Sequence, residues 1–285
     1  MNILVLGAYG LLGSHLCSSL LEESYKVFHQ GSSDNAELSF LPYLDDELVK
    51  VVEKKQPEVI INLIALTNVD LCEKDPQLAY LLNVKTVEKI IEASKYFDFH
   101  LIHLSTDQVY SGLGIHKESC VKPINVYGLT KYCSELVASK MKSTIIRTNY
   151  HSKSIVLKRY SFSDWLVKSL RNGDKITLFD DISFNAVHVS FLIKIIKISI
   201  QEKHIGTFNV GCKDSITKAK FAISLGKLLN LNDSSAVIGK SKDSKLIASR
   251  PNNMVMCVDK LQKLFKIEAP TIEETLLMLS QDYLK

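Results

Sequence analysis

A glycine-rich turn near the start of the sequence constrains the fold of this chain more than any other feature. Gly7, Gly10 and Gly13 follow the apolar run Asn2–Leu6, and the residues from Leu11 to Leu21 then carry apolar side chains at helical spacing. In a strand–turn–helix unit the first glycine permits a tight turn, the second lets backbone N–H groups approach a pyrophosphate, and the third lets helix and strand pack closely. The motif predicts a dinucleotide-binding unit, the alternative being a similar turn without a ligand.

Short β-branched runs alternate with longer segments of helical periodicity through the first half of the chain. Strands are predicted at 2–6, 26–29, 58–63, 99–104 and 143–147, and helices at 11–21, 45–54, 76–95 and 127–141. This alternation is typical of βαβ units, in which helices cover both faces of a parallel sheet. Uninterrupted apolar runs such as ILVL suit strands that are buried on both faces. The predicted fold class is α/β, a Rossmann-type doubly wound parallel sheet.

The second half contains the same kinds of element in a less regular order. Helices are predicted at 164–170, 190–200 and 218–229, strands at 175–179 and 206–210, and loops at 232–235 and 240–245. We predict a Rossmann domain over residues 1–150 and a smaller C-terminal α/β substrate lobe over residues 151–285. Segments around 185–210 are expected to return to the first domain.

Composition and charge exclude several classes of protein. Of 285 residues 46% are hydrophobic and 23% charged, with a net charge of +4, which predicts a globular chain and argues against disorder. The basic residues form no long run, so nucleic-acid binding is not expected. The apolar stretch from Val59 to Leu66 is far shorter than the roughly 18 residues of a membrane span. The six cysteines have neither CxxC nor zinc spacing, which predicts reduced thiols in a cytoplasmic protein and no metal site.

The residues after the second predicted strand bear on the choice between NAD and NADP. An acidic side chain there would bind the ribose 2′-hydroxyl and repel a 2′-phosphate. This sequence has Gly31, Ser32 and Ser33 at that point and its first acid at Asp34, although it offers no arginine for the phosphate. We therefore favour NADPH, with NADH as the alternative, and expect both serines to lie near the cofactor.

Tyr127 and Lys131 lie four residues apart in the helix predicted at 127–141. Positions i and i+4 share one face of a helix, and an ammonium beside a phenol lowers the phenol pKa from its usual value of about 10. Tyr127 is thereby suited to protonate a carbonyl oxygen that receives hydride. Thr106 follows the strand at 99–104, at the edge where parallel sheets bind ligands, and can hydrogen-bond the same oxygen. Taken alone, the tyrosine–lysine pair also fits an inert surface pair.

Eight motifs, which run in order along nearly the whole chain, carry a family resemblance. They are GAYGLLG (7–13), INLIALTNVDLCE (61–73), STDQVYSG (105–112), YGLTKYCSE (127–135), IIRTNY (145–150), NAVHVSFL (185–192), GTFNVG (206–211) and RPNNMVMCVDKL (250–261). Together they resemble the extended short-chain dehydrogenases/reductases, and within that superfamily the dTDP-4-dehydrorhamnose reductase group.

The resemblance implies a role for each residue that matches the family pattern. The catalytic residues would be Thr106, Tyr127 and Lys131. The cofactor would contact Gly7, Tyr9, Gly10, Leu11, Leu12, Gly13, Ser32, Ser33, Ala65, Thr67, Tyr127 and Lys131, and the sugar-nucleotide substrate would contact Val69, Asp107, Gln108, Tyr150 and Arg250. The Arg250 guanidinium would bind the diphosphate.

The sequence departs from the family pattern at several of these positions. Leu41 stands where the family usually has an aspartate near the adenine, Gln108 replaces a common tyrosine, and Tyr150 replaces a common tryptophan. Residues 151–154 replace a glycine-containing stretch, and the usual proline before residue 185 is missing. These departures leave the identity of the sugar open.

The activity implied by the resemblance is NADPH-dependent reduction of the C4 keto group of a nucleotide-linked 6-deoxy-4-keto-hexose, for cell-surface polysaccharide biosynthesis in the cytoplasm. The expected partner is the sugar nucleotide, without nucleic acid or membrane, and a homodimer is left open. One alternative is an epimerase of the same superfamily, which would recycle bound cofactor. The other is a non-catalytic NADP-binding regulatory subunit, like that of methionine adenosyltransferase. A dehydratase is disfavoured because Gln108 interrupts the acidic pair that it commonly needs.

Overall fold

The computed structural model describes residues 1–44, 46–156 and 159–285, and its central feature is a seven-stranded sheet. The strands of this sheet are β1 (Asn2–Leu6), β2 (Lys26–Gly31), β3 (Leu38–Ser39), β4 (Val59–Asn62), β5 (His100–Thr106), β6 (Ser143–Thr148) and β11 (Gly206–Val210). They lie in the order β11-β6-β5-β4-β1-β2-β3, and the pairing from β3 through β2, β1 and β4 to β5 is parallel. The predicted α/β class with a Rossmann-type parallel sheet is confirmed.

The strand order reverses at β1. This strand pairs with β2 on one side and with β4 on the other, so β2 and β3 extend the sheet in one direction and β4, β5 and β6 extend it in the other. In open parallel sheets, ligands bind in the crevice outside the carboxyl ends of the strands at such a switch point. The glycine turn that follows β1 therefore lies where this class of fold binds its ligands.

Helices alternate with these strands. In the first half they are α1 (Leu11–Leu20), α2 (Glu47–Lys55), α3 (Val69–Lys74), α4 (Pro76–Tyr80), α5 (Thr86–Ala93) and α6 (Val126–Ala138). The single helix predicted over 76–95 is interrupted at Leu81–Lys85, which form a wider turn with π-helical hydrogen bonds and carry the fully buried Asn83. The predicted start of the second helix, residue 45, lies outside the described residues.

One hydrophobic core joins part of the sheet to α2, α5 and α6. Its buried members are Leu4, Leu6, Phe28, Leu48, Val52, Ile60, Val87, Ile90, Ala93, Phe99, Leu101, Ala138 and Ile145. Leu48 and Val52 are one turn apart on α2, and Val87 and Ile90 are one turn apart on α5. Residues at this spacing share one face of a helix, so both pairs pack against the sheet. Because each such side chain contributes about 1.5–3 kcal/mol on burial, this core holds the helices against the strands.

Contacts divide the chain into two units. Unit 1 comprises residues 1–106, 125–147 and 193–208, and unit 2 comprises residues 107–124, 148–192 and 209–285. The predicted division placed 107–124 in the first domain, whereas the structure groups this segment with unit 2. The reason is hydrogen bonding, since the His116 amide donates to Val255 O at 2.8 Å and the Tyr110 hydroxyl donates to Asn209 Oδ1 at 2.7 Å. Residues 193–208, which belong to unit 1, fall inside the 185–210 segment predicted to return.

Short strand pairs and helices make up most of unit 2. The pairs are β7 (Tyr150–His151) with β10 (Val187–His188), β8 (Ile176–Phe179) with β13 (Ala236–Gly239), and β9 (Ser183–Phe184) with β12 (Ile216–Thr217). The helices are α7 (Phe162–Asn172), α9 (Lys218–Leu228), α10 (Asp259–Phe265) and α11 (Ile272–Leu284), while α8 (Val189–Glu202) runs from unit 2 into unit 1. The periodicity did not predict β13, α10 or α11. Within the described ranges, no helix is long and apolar enough to cross a bilayer.

Candidate active site

The glycine turn has the close packing that its spacing predicts. Gly7 has a φ of 80°, which favours glycine, and a Cβ on Gly13 would lie 2.5 Å from the carbonyl oxygen of Ala8 and closer still to that of Gly7. Gly10 is the N-cap residue of α1, and among the described residues no side chain caps this helix end with a hydrogen bond. The first N–H groups of a helix lack partners within the helix, so this turn is a cradle that fits a pyrophosphate.

A glutamine side chain ties the glycine turn to β2. The Gly7 amide donates to Gln30 Oε1 at 2.9 Å, and Gln30 Nε2 donates to Phe40 O at 2.6 Å. Gln30 is almost fully buried. It therefore links the turn, β2 and the segment after β3, a positioning role that the sequence analysis missed.

The end of β2 brings Tyr9 close to the predicted serines. A Cβ on Gly31 would lie 2.7 Å from Cδ2 of Tyr9, so the tyrosine ring packs directly on the strand end. The Tyr9 hydroxyl accepts from the Glu37 amide at 2.9 Å, and the Glu37 carboxylate accepts from the His29 amide at 3.0 Å. Ser32 and Ser33 are exposed. The Glu37 carboxylate is thus bonded to the backbone of β2, and the two serine hydroxyls after this strand are exposed.

The predicted catalytic residues lie at the end of β5 and in the first two turns of α6. Thr106 is 5%, Tyr127 7% and Lys131 2% exposed, and all three belong to unit 1. Asn125 caps the helix by accepting from the Gly128 amide at 2.8 Å. Lys131 Nζ donates to Leu104 O at 2.6 Å, two residues before Thr106. This bond fixes the lysine between α6 and the end of β5.

Lys131 titrates far from its ordinary range. Burial lowers its pKa to about 8, and the negative charge of Glu135, one turn further along α6, acts in the opposite direction. His103 on β5 is also fully buried, and burial followed by the Lys131 charge lowers its pKa well below the usual value. The lysine is therefore a cation at neutral pH, beside a neutral histidine.

A buried ion pair completes this part of unit 1. Arg147 on β6 and Glu135 on α6 are each 3% exposed, and Arg147 Nη2 lies 2.5 Å from Glu135 Oε2. Arg147 Nε donates to both carboxylate oxygens, at 2.9 and 3.1 Å, and the Ser105 hydroxyl donates to Oε1. None of the sequence motifs predicted this pair. The available signals were an acid four residues after Lys131 and an arginine inside the apolar run IIRT.

His103 has a structural role defined by its hydrogen bonds. Asn62 Nδ2 lies 3.2 Å from His103 Nδ1, and the Ser134 hydroxyl lies 2.9 Å from Nε2 and donates to Lys131 O at 2.6 Å. An amide N–H can only donate, so Nδ1 accepts and the proton resides on Nε2. The neutral ring links β4, β5 and α6.

Asn83 secures the segment after β4. It accepts from the Leu66 amide at 2.7 Å and donates to the Thr130 hydroxyl at 3.0 Å, so the wide turn before α5 bridges to α6. The predicted cofactor contacts Ala65 and Thr67 flank Leu66, and both are at least partly accessible. The asparagine thus holds this segment next to the residue before Lys131.

Unit 2 carries four of the five predicted substrate residues, namely Asp107, Gln108, Tyr150 and Arg250. Asp107 is almost fully buried and accepts from Asn149 Nδ2 at 2.8 Å, which connects it to the residue before Tyr150. Burial raises the pKa of Tyr150 to about 12, so its hydroxyl stays protonated. Arg250 Nη1 donates to Ala248 O at 2.7 Å, and Val69 lies in unit 1.

A further cation, Lys218, lies near Arg250 in unit 2. Thr217 pairs with Ser183 of β9, and Ser183 bridges Asn253 on its other side, so the segments that carry the two cations flank β9. Burial lowers the pKa of Lys218, while the charge of Asp107 raises it and that of Arg250 lowers it. The Lys218 amine also lies 5.7 Å from the centre of the Phe162 ring. None of the sequence motifs predicted a role for this lysine.

Comparisons with known proteins decide the family. The family model described as the RmlD substrate binding domain matches residues 1–284. The chain belongs to this family. It is 25% identical to a probable low-salt glycan biosynthesis reductase, Agl14, of Haloferax volcanii, over 98% of this chain and 97% of that one. It is 28% identical to a dTDP-4-dehydrorhamnose reductase of Aggregatibacter actinomycetemcomitans over 94% of each chain.

The fold of this family member is shared by solved structures. A crystal structure of dTDP-4-dehydrorhamnose reductase from Bacillus anthracis, in complex with NADP, superposes with a TM-score of 0.88. The superposition covers 98% of each chain at 24% identity. The resemblance predicted from the eight motifs is therefore confirmed at the level of family and fold.

Proposed function

We propose that this protein is an NADPH-dependent oxidoreductase that reduces the C4 keto group of a nucleotide-linked 6-deoxy-4-keto-hexose. The observation that carries the proposal is the arrangement of Thr106, Tyr127 and Lys131, buried at the end of β5 and the start of α6. They lie in the unit that holds the glycine cradle. The reductase names of relatives that align over almost the whole chain support the same chemistry.

The mechanism assigns proton supply and orientation to residues of unit 1. Bound NADPH supplies the hydride. The Thr106 hydroxyl donates a hydrogen bond that orients the substrate carbonyl oxygen, and the Tyr127 hydroxyl donates the proton that this oxygen acquires. The Lys131 ammonium, one turn along α6, favours the phenolate that remains. Because burial excludes water from these side chains, their electrostatic effect is larger than it would be at the surface.

NADPH is the cofactor that we assign to the glycine cradle. The cradle at Gly7, Gly10 and Gly13 fits a pyrophosphate, and the exposed Ser32 and Ser33 leave space for a 2′-phosphate at the end of β2. Glu37, whose carboxylate would repel that phosphate, is bonded to the His29 amide. NADH remains the alternative, since no arginine accompanies the serines.

The substrate assignment rests mainly on the polar residues of unit 2. Asp107, Gln108 and Tyr150, with Val69 of unit 1, are the predicted contacts of the sugar. Arg250 is the predicted contact of the diphosphate, and Lys218 supplies a second cation on the other side of β9. Two cationic side chains suit a diphosphate better than a neutral ligand. The six free thiols accord with a cytoplasmic reaction.

The test is to incubate the purified chain with NADPH and a panel of 4-keto-6-deoxy-hexoses linked to dTDP, GDP, CDP or UDP. We expect one of them to oxidise NADPH stoichiometrically, followed by the loss of NADPH absorbance. Isomerisation of a sugar without net NADPH consumption would show an epimerase instead. Cofactor binding without turnover of any sugar would overturn the proposal in favour of a regulatory subunit.

A further inference from the structure

The buried Glu135–Arg147 pair has no part in the chemistry described so far, yet Glu135 lies one turn after Lys131 on the helix that carries Tyr127. Both side chains are 3% exposed and make two-point contact. Charges buried at this depth carry a large desolvation cost, and replacing such a pair by apolar side chains is often neutral or stabilising. Stability alone is therefore a weak reason for an ion pair at this position.

Glu135 is connected to the predicted catalytic residues in two ways, along α6 and through a hydrogen bond to β5. Lys131 and Glu135 are one turn apart on α6, and they hold two successive residues of β5, through Leu104 O and the Ser105 hydroxyl respectively. The next residue of the strand is Thr106. These two links therefore fix the end of β5 against the helix that carries Tyr127.

We propose that Glu135 and Arg147 are positioning residues for proton transfer: the carboxylate keeps the Lys131 amine protonated, and the guanidinium limits the field of that carboxylate. This inference rests on the proposed function. The same pair anchors Ser105, so it also sets where Thr106 lies. Glu135 and Arg147 act through Lys131 and Ser105 and need not touch the substrate.

Few other charges compete for this role. His103 faces Lys131 from β5 and is neutral. Glu73 of α3 binds the Val126 amide at the start of α6, at 3.1 Å, and Glu88 of α5 is bonded to Lys85 at 3.0 Å. Among the described residues, Glu135 is the carboxylate whose charge raises the pKa of Lys131.

The signs of two substitutions follow from this arrangement. Glu135→Gln removes a negative charge and leaves the guanidinium, so the Lys131–Tyr127 pair should lose its proton at a lower pH. Arg147→Gln leaves the negative charge uncompensated, so the pair should keep its proton to a higher pH. The double variant removes both charges and should return the titration towards that of the wild type.

The experiment measures kcat/KM against pH for the wild type, the two single variants and the double variant. We expect the basic limb to move by about one pH unit in opposite directions in the two single variants. Glu88→Gln is the matched control, since it also removes the carboxylate of a carboxylate–cation pair, but one that is 34% exposed and bonded to Lys85. The basic limb of this variant should stay where the wild type has it. Shifts in the same direction, or no shifts, would overturn the proposal.

A readout without turnover separates this inference from the proposed function. Lysine side-chain NMR of the full chain, with Lys131→Met to assign the signal, follows the Lys131 titration directly in each variant. If no sugar is reduced, the proposed function fails, and the NMR shifts still decide the inference. If Arg147→Gln does not fold, Arg147→Lys replaces it. That variant keeps the charge, so it should titrate like the wild type even when it is less stable, and a large shift in it would contradict our assignment.

Discussion

Gly13 lies against the carbonyl oxygen of Gly7 so closely that the start of α1 and the end of β1 leave no space for a side chain between them. A Cβ at position 13 would overlap that oxygen and approach Ala8 O to 2.5 Å. Both groups are backbone atoms, which cannot rotate out of the way. The contact ties the geometry of the cofactor cradle to the packing of the first helix.

Gly13→Ala should therefore damage folding and cofactor binding together. Overpacking against backbone costs about 1–3 kcal/mol, and the displaced turn should weaken NADPH binding. Thermal unfolding and NADPH fluorescence titration measure the two effects. Gly226→Ala on α9 is the control, because its Cβ would meet only the terminal Cδ1 of Leu170, at 3.3 Å. Its stability should change by less than about 1 kcal/mol, and equal damage in both variants would refute this reading.

Tyr127→Phe should remove turnover without removing the cofactor. The substitution deletes the donated proton and keeps the buried ring, so we expect kcat to fall about 10²–10⁴-fold while the NADPH dissociation constant stays near that of the wild type. Steady-state kinetics and fluorescence titration test both halves of this expectation. Tyr132→Phe on the same helix is the matched control and should stay active. Unchanged turnover in Tyr127→Phe would exclude this tyrosine as the acid.

Lys131 should make the protein more stable as the solution becomes alkaline. Its pKa is about 8 in the folded chain, against 10.5 for an ordinary lysine. Between these values the unfolded chain binds more protons, so the free energy of unfolding should rise with pH by at most about 1.4 kcal/mol per unit. Urea unfolding across this range measures the rise. It should be smaller in Lys131→Met and unchanged in the exposed control Lys140→Met.

His151 should destabilise unit 2 in acid. It packs against Phe162, Phe184 and Phe221, and burial lowers its pKa to about 3. Below about pH 6.5 His151 binds a proton in the unfolded chain but not in the folded chain. The free energy of unfolding should therefore fall as the pH falls from 6.5 towards 3.

The variant that tests this is His151→Phe. It should reduce the loss by at most about 1.4 kcal/mol per pH unit, and it also removes Nε2, which has no hydrogen-bond partner among the described residues. Denaturant unfolding at several acidic pH values is the measurement. His15→Gln, a half-buried position on α1, is the control and should follow the wild type. An unchanged acid slope in His151→Phe would contradict the prediction.

Lys218→Gln should weaken substrate binding and spare the cofactor. A charge-assisted hydrogen bond contributes about 1.5–3 kcal/mol, so KM for the sugar nucleotide should rise roughly tenfold to a hundredfold. The exposed Lys220 on the same helix provides the control Lys220→Gln. Equal KM values in the two variants would remove Lys218 from the substrate site.

Most of unit 1 was predictable because its signals are local. β1 was predicted with the bounds that it has, and the predicted α1 ends one residue beyond the observed Leu20, since an apolar strand followed by spaced glycines admits few other structures. The C-terminal helices were harder. Thr271 and Glu274 form a capping box at the start of α11. Such a short pattern predicts a helix only when residues that form a buried face follow it.

Interior polar residues mark the limit of sequence reasoning. Glu135 and Arg147 are 12 positions apart, on a helix and a strand, and nothing in their sequence spacing indicates that they pair. The placement of Lys218 near Arg250 depends in the same way on β9, which joins segments that are far apart in the chain.

The sequence by itself determined the α/β class and the glycine turn, and it predicted the residues that would move a proton. Those properties depend on periodicity and on residue type at short spacing, both of which are visible along the chain. The tertiary structure alone decided the π-helical turn around Asn83, the grouping of residues 107–124 with unit 2 and the charges that surround Lys131. The physical reason is that burial and electrostatic fields come from groups brought together across the fold, and one-dimensional spacing does not record them.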